Sequence, residues 1–172
     1  MNRSDIISTS IHSIIILSIQ IFLLLTFSIP VGSRYSLTIY IYPLIIILLP
    51  LSYSKSSLLL IAFIIGLIID YFYQSIGVHS SSLVLIAFMR PYILSLLEPR
   101  GGYRTDNSPS SNNYGLSWFL MYGSIILFIH LLTYFSVDAF SFVFLDKIFI
   151  NTIISFIASY LIINIYQFII RF

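Results

Sequence analysis

Asp70 and Arg90 stand inside a long apolar run, Ala62 to Pro91, that is otherwise almost free of charge. Ionised groups at bilayer depth are costly, so they are kept there for a proton path, a ligand contact or a structural fastening. Three readings of Asp70 follow. It can accept hydrogen bonds from the turn at Gln74 to His79 and cap the next helix; it can carry a proton or a ligand; or it can meet a partner helix.

Other residues with chemical potential do not assemble into a reactive set. His12, His79 and His130 lie on separate segments without ligand spacing, so no metal site is expected. Serines are plentiful, yet no Gly-x-Ser-x-Gly occurs, and spacing assigns no base with an orienting acid. A phosphate-binding glycine loop is missing, and the chain has no cysteine for a disulfide, thiolate ligand or thiol nucleophile. The expectation is a protein that is not an enzyme and has no cofactor.

Composition sets the solvent in which these residues act. With 172 residues, 59% of them hydrophobic and 8% charged, the chain has too little interior to hide its apolar side chains from water. A bilayer can solvate them. The net charge of +2 comes from scattered basic residues, which gives no patch for nucleic acid.

On a ruler of about 20 apolar residues per crossing, the chain reads as an all-α compact bundle, a single integral membrane domain over 1–172. Six spans are expected, near 11–29, 37–53, 57–73, 79–97, 117–136 and 147–170, joined by short turns and one polar loop at 98–116. The second contains Pro43 and Pro50 and should be kinked. The first is too long, and too poorly followed by small residues, for a cleaved leader. Arg3, Lys55, Arg100, Arg104 and Arg171 would share one side, against Arg34 and Lys147 on the other, which places both termini in the cytoplasm. Tyr35, Tyr40, Tyr42, Tyr71, Tyr73, Tyr103 and Tyr114 read as interfacial belts.

Two faces should organise the packing. Ala62, Gly66 and Asp70 recur every fourth residue, a stripe along which a neighbouring backbone can approach closely. Asn151, Ser155 and Ser159 form a second polar stripe that would pack another helix of the chain or face a partner. Gly77 suits a turn with positive φ. Pro91 should bend the fourth span and free a carbonyl that Arg90 could bond, unless Arg90 extends to the interface. At 1.5 Å rise per residue, Asp70 and Arg90 fall about 10 Å apart along the axis, too far for a direct ion pair.

The run Gly66-Leu67-Ile68-Ile69-Asp70, then Gly77-Val78-His79, then Ala87-Phe88-Met89-Arg90-Pro91-Tyr92 resembles the rod shape-determining protein MreD family in its Bacteroidetes-like form. Gly66, Asp70, Gly77 and His79 match its pattern, while the Ser/Asn-rich loop and the last two spans match nothing specific. The resemblance implies a non-enzymatic, multi-pass subunit in the bacterial inner membrane that supports lateral peptidoglycan synthesis and rod shape. Its implied partners are an MreC-like protein and, through it, MreB and the RodA/penicillin-binding-protein synthase. Partner or packing contacts would then fall to Ala62, Gly66, Asp70, Gly77, His79, Arg90 and Pro91. The competing reading is a substrate-binding subunit of a small-molecule transporter of the energy-coupling-factor type, which requires a polar cavity reaching Asp70 or His130.

Overall fold

A computed structural model describes residues 3–104, 108–140 and 142–170. The chain is mostly helical. Its elements are α1 (Arg3–Ser18), β1 (Ser28–Val31), β2 (Tyr35–Thr38), α2 (Pro43–Leu48), α3 (Lys55–Tyr73), α4 (Val78–Leu96), α5 (Ser111–Tyr114), α6 (Leu116–Ala139) and α7 (Leu145–Ile170). A wide π-type turn, Ile19–Leu23, continues α1, and a short 3-10 turn, Phe142–Phe144, precedes α7.

Among the described residues, three helices are long and apolar enough to cross a membrane: Lys55–Tyr73, Leu116–Ala139 and Leu145–Ile169. They coincide within a few residues with the expected third, fifth and sixth spans. The fourth expected span is α4, whose 19 residues pack against α3 along its length. The first is displaced toward the N-terminus, because the chain leaves helical geometry at Leu24. Arg171, one of the residues used for orientation, lies outside the described residues.

The second expected span is not a helix. It divides into β2, an irregular stretch at 39–42 that ends with Tyr42 in helical conformation, and the six-residue α2. At 3.3 Å per extended residue and 1.5 Å per helical one, Tyr35 to Leu48 still covers about 30 Å, a full bilayer core. The prolines delimit this half-helix where a kinked full helix was expected. Pro43 starts α2, where no N–H is needed, and Pro50 holds Leu49 extended at ψ 137°.

This broken segment is deeply buried from Ile39 to Leu49. Every residue from Ile39 to Leu49 that is apolar lies in the core, with Tyr42, Ile46 and Ile47 fully enclosed. Its runs of Ile and Leu have no polar face because α1, α4, α6 and α7 surround it. An all-round apolar sequence means burial on all sides, and hydropathy alone does not tell that from a lipid-facing span.

Extended backbone at such depth needs donors and acceptors from elsewhere. The second polar stripe supplies them. Ser36 N–H donates to Asn151 Oδ1 at 3.1 Å, Thr38 N–H to Ser155 Oγ at 3.1 Å, and Tyr40 N–H to Ser159 Oγ at 2.9 Å. Alternate strand amides repeat every 6.6 Å or so and every fourth helical residue every 6.0 Å, so the two rulers match over these bonds. Gln20 completes the set by accepting from Ile41 N–H at 2.8 Å and donating to Ile39 C=O at 3.3 Å. The stripe on α7 therefore holds a strand of the same chain, where a helix was expected.

β1 pairs antiparallel with β2, Pro30 opposite Ser36 and Ser28 opposite Thr38. Because Ser36 and Thr38 turn their amides to α7, Pro30 lies with its missing donor on the outer edge, the position a strand tolerates.

Ser155→Ala and Ser159→Ala should each strand one buried amide and lower stability by about 1–3 kcal/mol. Ser81→Ala, which removes only an exposed bond to the Val78 carbonyl, should stay within about 0.5 kcal/mol. Thermal unfolding in detergent, followed by circular dichroism, compares the three.

Candidate functional site

Asp70 lies in the last turn of α3, where its main chain ends one helix and its side chain begins the next. Its carbonyl accepts from Gln74 and Ser75, and Gln74 takes the left-handed conformation at φ 54° that stops α3. Its carboxylate accepts from Gly77 N–H at 3.1 Å, His79 N–H at 2.9 Å and Ser80 N–H at 3.1 Å, the free donors at the start of α4. Ser80 Oγ donates to Oδ2 as well, and Ser75 Oγ and His79 Nδ1 approach Oδ1 at 3.3 and 3.1 Å. The capping reading of Asp70 describes this geometry. At 4% exposure the carboxylate is buried, and these dipoles replace the water it has lost.

Gly77 adopts φ 85° as the residue that opens α4, a conformation in which a side chain would be strained. Ala62 and Gly66 lie on the same face of α3 as Asp70, and all three are buried. A Cβ on Gly66 would collide with the Cα of Ser80 and come within 2.9 Å of its nitrogen. The stripe is therefore filled by α4 of the same chain, which leaves it no room for a partner helix.

Around His79, which is fully buried, stand the rings of Tyr73 at 4.7 Å, Tyr134 at 4.9 Å, Tyr42 at 5.6 Å and Tyr40 at 6.1 Å. Tyr42 OH meets Nε2 of His130 at 2.8 Å, and Gln20 Nε2 donates to Tyr73 OH at 2.6 Å. Tyr40 and Tyr42 are thus core residues and not part of an interfacial belt; Tyr71, 80% exposed, is compatible with one. His130 and Gln20, to which the sequence reading assigned no role, belong to this polar interior. Gln20 is the one amide in the first apolar run, and that isolation is the signal that could have singled it out.

Ser75, His79 and Asp70 are mutually within reach without forming a hydrolytic relay. Ser75 Oγ lies 2.8 Å from Nδ1, the same ring nitrogen that faces Asp70. A relay needs the hydroxyl on the opposite nitrogen. Among the described residues, no group of three or more His, Cys, Asp or Glu side chains converges as metal ligands would.

Arg90 forms a second polar anchor on α4, with 3% of its surface exposed. It neither pairs with Asp70 nor bonds a carbonyl freed by Pro91. Its guanidinium donates to the Leu49 carbonyl at the end of α2, and its Nε donates to Tyr122 OH at 3.0 Å. Tyr122 OH in turn donates to the Ile47 carbonyl at 3.2 Å. Pro91 lies inside α4, which continues to Leu96. The half-helix therefore ends on Arg90 and Tyr122, while the strand before it hangs on α7 and Gln20.

Part of the polar loop is ordered against this end of the bundle. Tyr103 OH donates to the Leu94 carbonyl at 2.9 Å and Trp118 Nε1 to the Leu97 carbonyl at 2.8 Å, and Trp118 stacks on Tyr122 at 4.9 Å. Burial pushes the Tyr103 hydroxyl up to about 12, so it remains a neutral donor at physiological pH. Asn107 of the loop lies outside the described residues.

Open cavities lie elsewhere. One of about 200 Å³ is lined by Asp138, Lys147 and Asn151, and an adjoining one of about 550 Å³ by Arg34, Asp146 and Lys147. Neither reaches Asp70, His79, His130 or Arg90.

No family model, curated protein or solved structure matches this chain significantly.

Gly66→Ala should force α3 and α4 apart and lower the thermal midpoint, whereas Gly101→Ala, with open space around it, should not. Asp70→Asn turns an amide donor toward backbone donors and should cost about 2–3 kcal/mol or more. Arg90→Lys should not restore an Arg90→Met variant, since a single ammonium cannot reproduce the fork that reaches both Leu49 and Tyr122. Denaturation in detergent reads all five.

Proposed function

We propose that this chain is a non-enzymatic scaffold subunit of the bacterial cell-elongation machinery. In this reading it crosses the inner membrane six times with both termini in the cytoplasm, two of the crossings being broken by strands. It acts through an MreC-like partner and supports MreB-guided lateral peptidoglycan synthesis by a RodA/penicillin-binding-protein synthase.

The observation that carries the reading is how the polar residues are used. Asp70, His79, Arg90, Asn151, Ser155 and Ser159 are all buried and bonded within the chain. They brace helices and a strand, which is what a rigid assembly platform needs. The motif residues Gly66, Asp70, Gly77 and His79 that resemble the MreD pattern are the ones that build the tight α3–α4 hairpin.

A transporter reading asks for a solvated cavity at Asp70 or His130. Both side chains are buried instead, Asp70 in its cap and His130 against Tyr42. That packing favours a scaffold.

Affinity purification from native membranes in mild detergent should recover an MreC-like protein, and depletion of the chain in a rod-shaped cell should yield round cells. Recovery of an ATP-hydrolysing module with normal cell shape would refute the proposal.

A further inference from the structure

The first crossing changes from helix to strand midway, and its outer side is bare. Past Leu24 the chain turns and continues as β1. Ser28 lies opposite Thr38, and Thr38 is bonded to Ser155. Ser155 lies about 15 Å along α7 from Leu145 at 1.5 Å per residue, half the thickness of a bilayer core. The break therefore sits near mid-membrane if α7 spans it.

At that depth the outer edge of β1 offers acceptors alone. In an antiparallel pair a residue turns its N–H and C=O to the same side, so Ser28 and Pro30, opposite the α7-facing Thr38 and Ser36, point both groups away from β2. Ser28 N–H is used by the Thr26 carbonyl at 3.0 Å, and Pro30 has none. The carbonyls of Ser28 and Pro30 are left facing outward, and both residues are exposed. Beside them lie Phe22 at 81% exposure, Leu23, Phe27 and Ile29. Hydrocarbon cannot satisfy an open strand edge.

From this geometry we infer that the bare side of α1 and β1 is the docking face for a transmembrane helix of a different protein, one presenting Ser, Thr, Asn or Gln at four-residue spacing. The opposite side of the same ribbon displays the chemistry. There α7 covers the β2 amides with Asn151 and Ser155 and the following Tyr40 amide with Ser159, and an incoming helix would cover the β1 carbonyls with donors in the same register. An added strand fits poorly, since the edge has no N–H to return. A second copy fits poorly too, because outward faces such as Phe63, Leu67, Ile153, Ile157 and Leu161 are apolar and bring no donor. The inference deepens the scaffold reading and rests on it.

A benzophenone side chain introduced at Phe27 of the full-length protein tests this in native membranes, with Ile157, an exposed position on α7, as the comparison. Phe27 should give severalfold more protein adduct than Ile157, and mass spectrometry should place the adduct on a partner helix carrying the donors described. Replacing those donors with Leu should cut the adduct about fivefold, the scale of a lost interhelical hydrogen bond. An adduct no greater than at Ile157, one with a second copy of the chain, or one with a helix lacking such donors would overturn the inference. If an MreC-like protein still co-purifies in that case, only the docking face is wrong; if it does not, the scaffold reading fails as well.

Discussion

Between Tyr35 and Leu49, the amides of Ser36, Thr38, Tyr40 and Ile41 and the carbonyls of Ile39, Ile47 and Leu49 take their partners from outside the segment, in the buried interior. A buried N–H or C=O without a partner costs about 1–3 kcal/mol, and a run of them would exceed the net stability of most domains. The rest of the bundle answers this demand. Asn151, Ser155, Ser159 and Gln20 meet the extended half, and Arg90 with Tyr122 meets the carbonyls of the helical half.

From that constraint the placement of the other polar residues follows. Arg90 and Tyr122 can reach α2 only if α4 and α6 are held close to it, and the Gly66–Ser80 contact with the Asp70 cap sets the α3–α4 pair in register. The tyrosines around His79 fill the space between the strand, α3, α4 and α6, with the Tyr42 hydroxyl at His130 and the Tyr73 hydroxyl at Gln20. Asp70, on α3, thus meets the first turn of α4, while Arg90 lies in the second half of α4 and meets the Leu49 carbonyl and Tyr122; neither charge is neutralised by the other. That arrangement keeps both charges buried without a salt bridge between them.

In the proposed scaffold reading, function resides in shape more than in reactivity. The Asp70–His79 contact is built from groups common in catalysis, yet the hydroxyl of Ser75 shares the imidazole nitrogen that meets the acid. A frame braced in this way, with the β1 edge left open, is what the proposed assembly role calls for.

Sequence alone determined the apolar solvent, the helices α3, α4, α6 and α7, and the tight turn at Gly77, because these depend on local hydropathy and on residues close in the chain. It also offered capping as one of three readings of Asp70, since the donors that meet it follow within ten residues. The strand within 37–53 was hidden: this stretch is as hydrophobic as a lipid-facing helix, and its departure from helix depends on acceptors more than a hundred residues away on α7. For the same reason only the tertiary structure decided that Tyr40 and Tyr42 are core residues, that Arg90 serves α2, and that the small stripe on α3 is closed by α4. Each outcome depends on which distant segment fills a given side of a helix, and periodicity reports that a side exists without reporting what covers it.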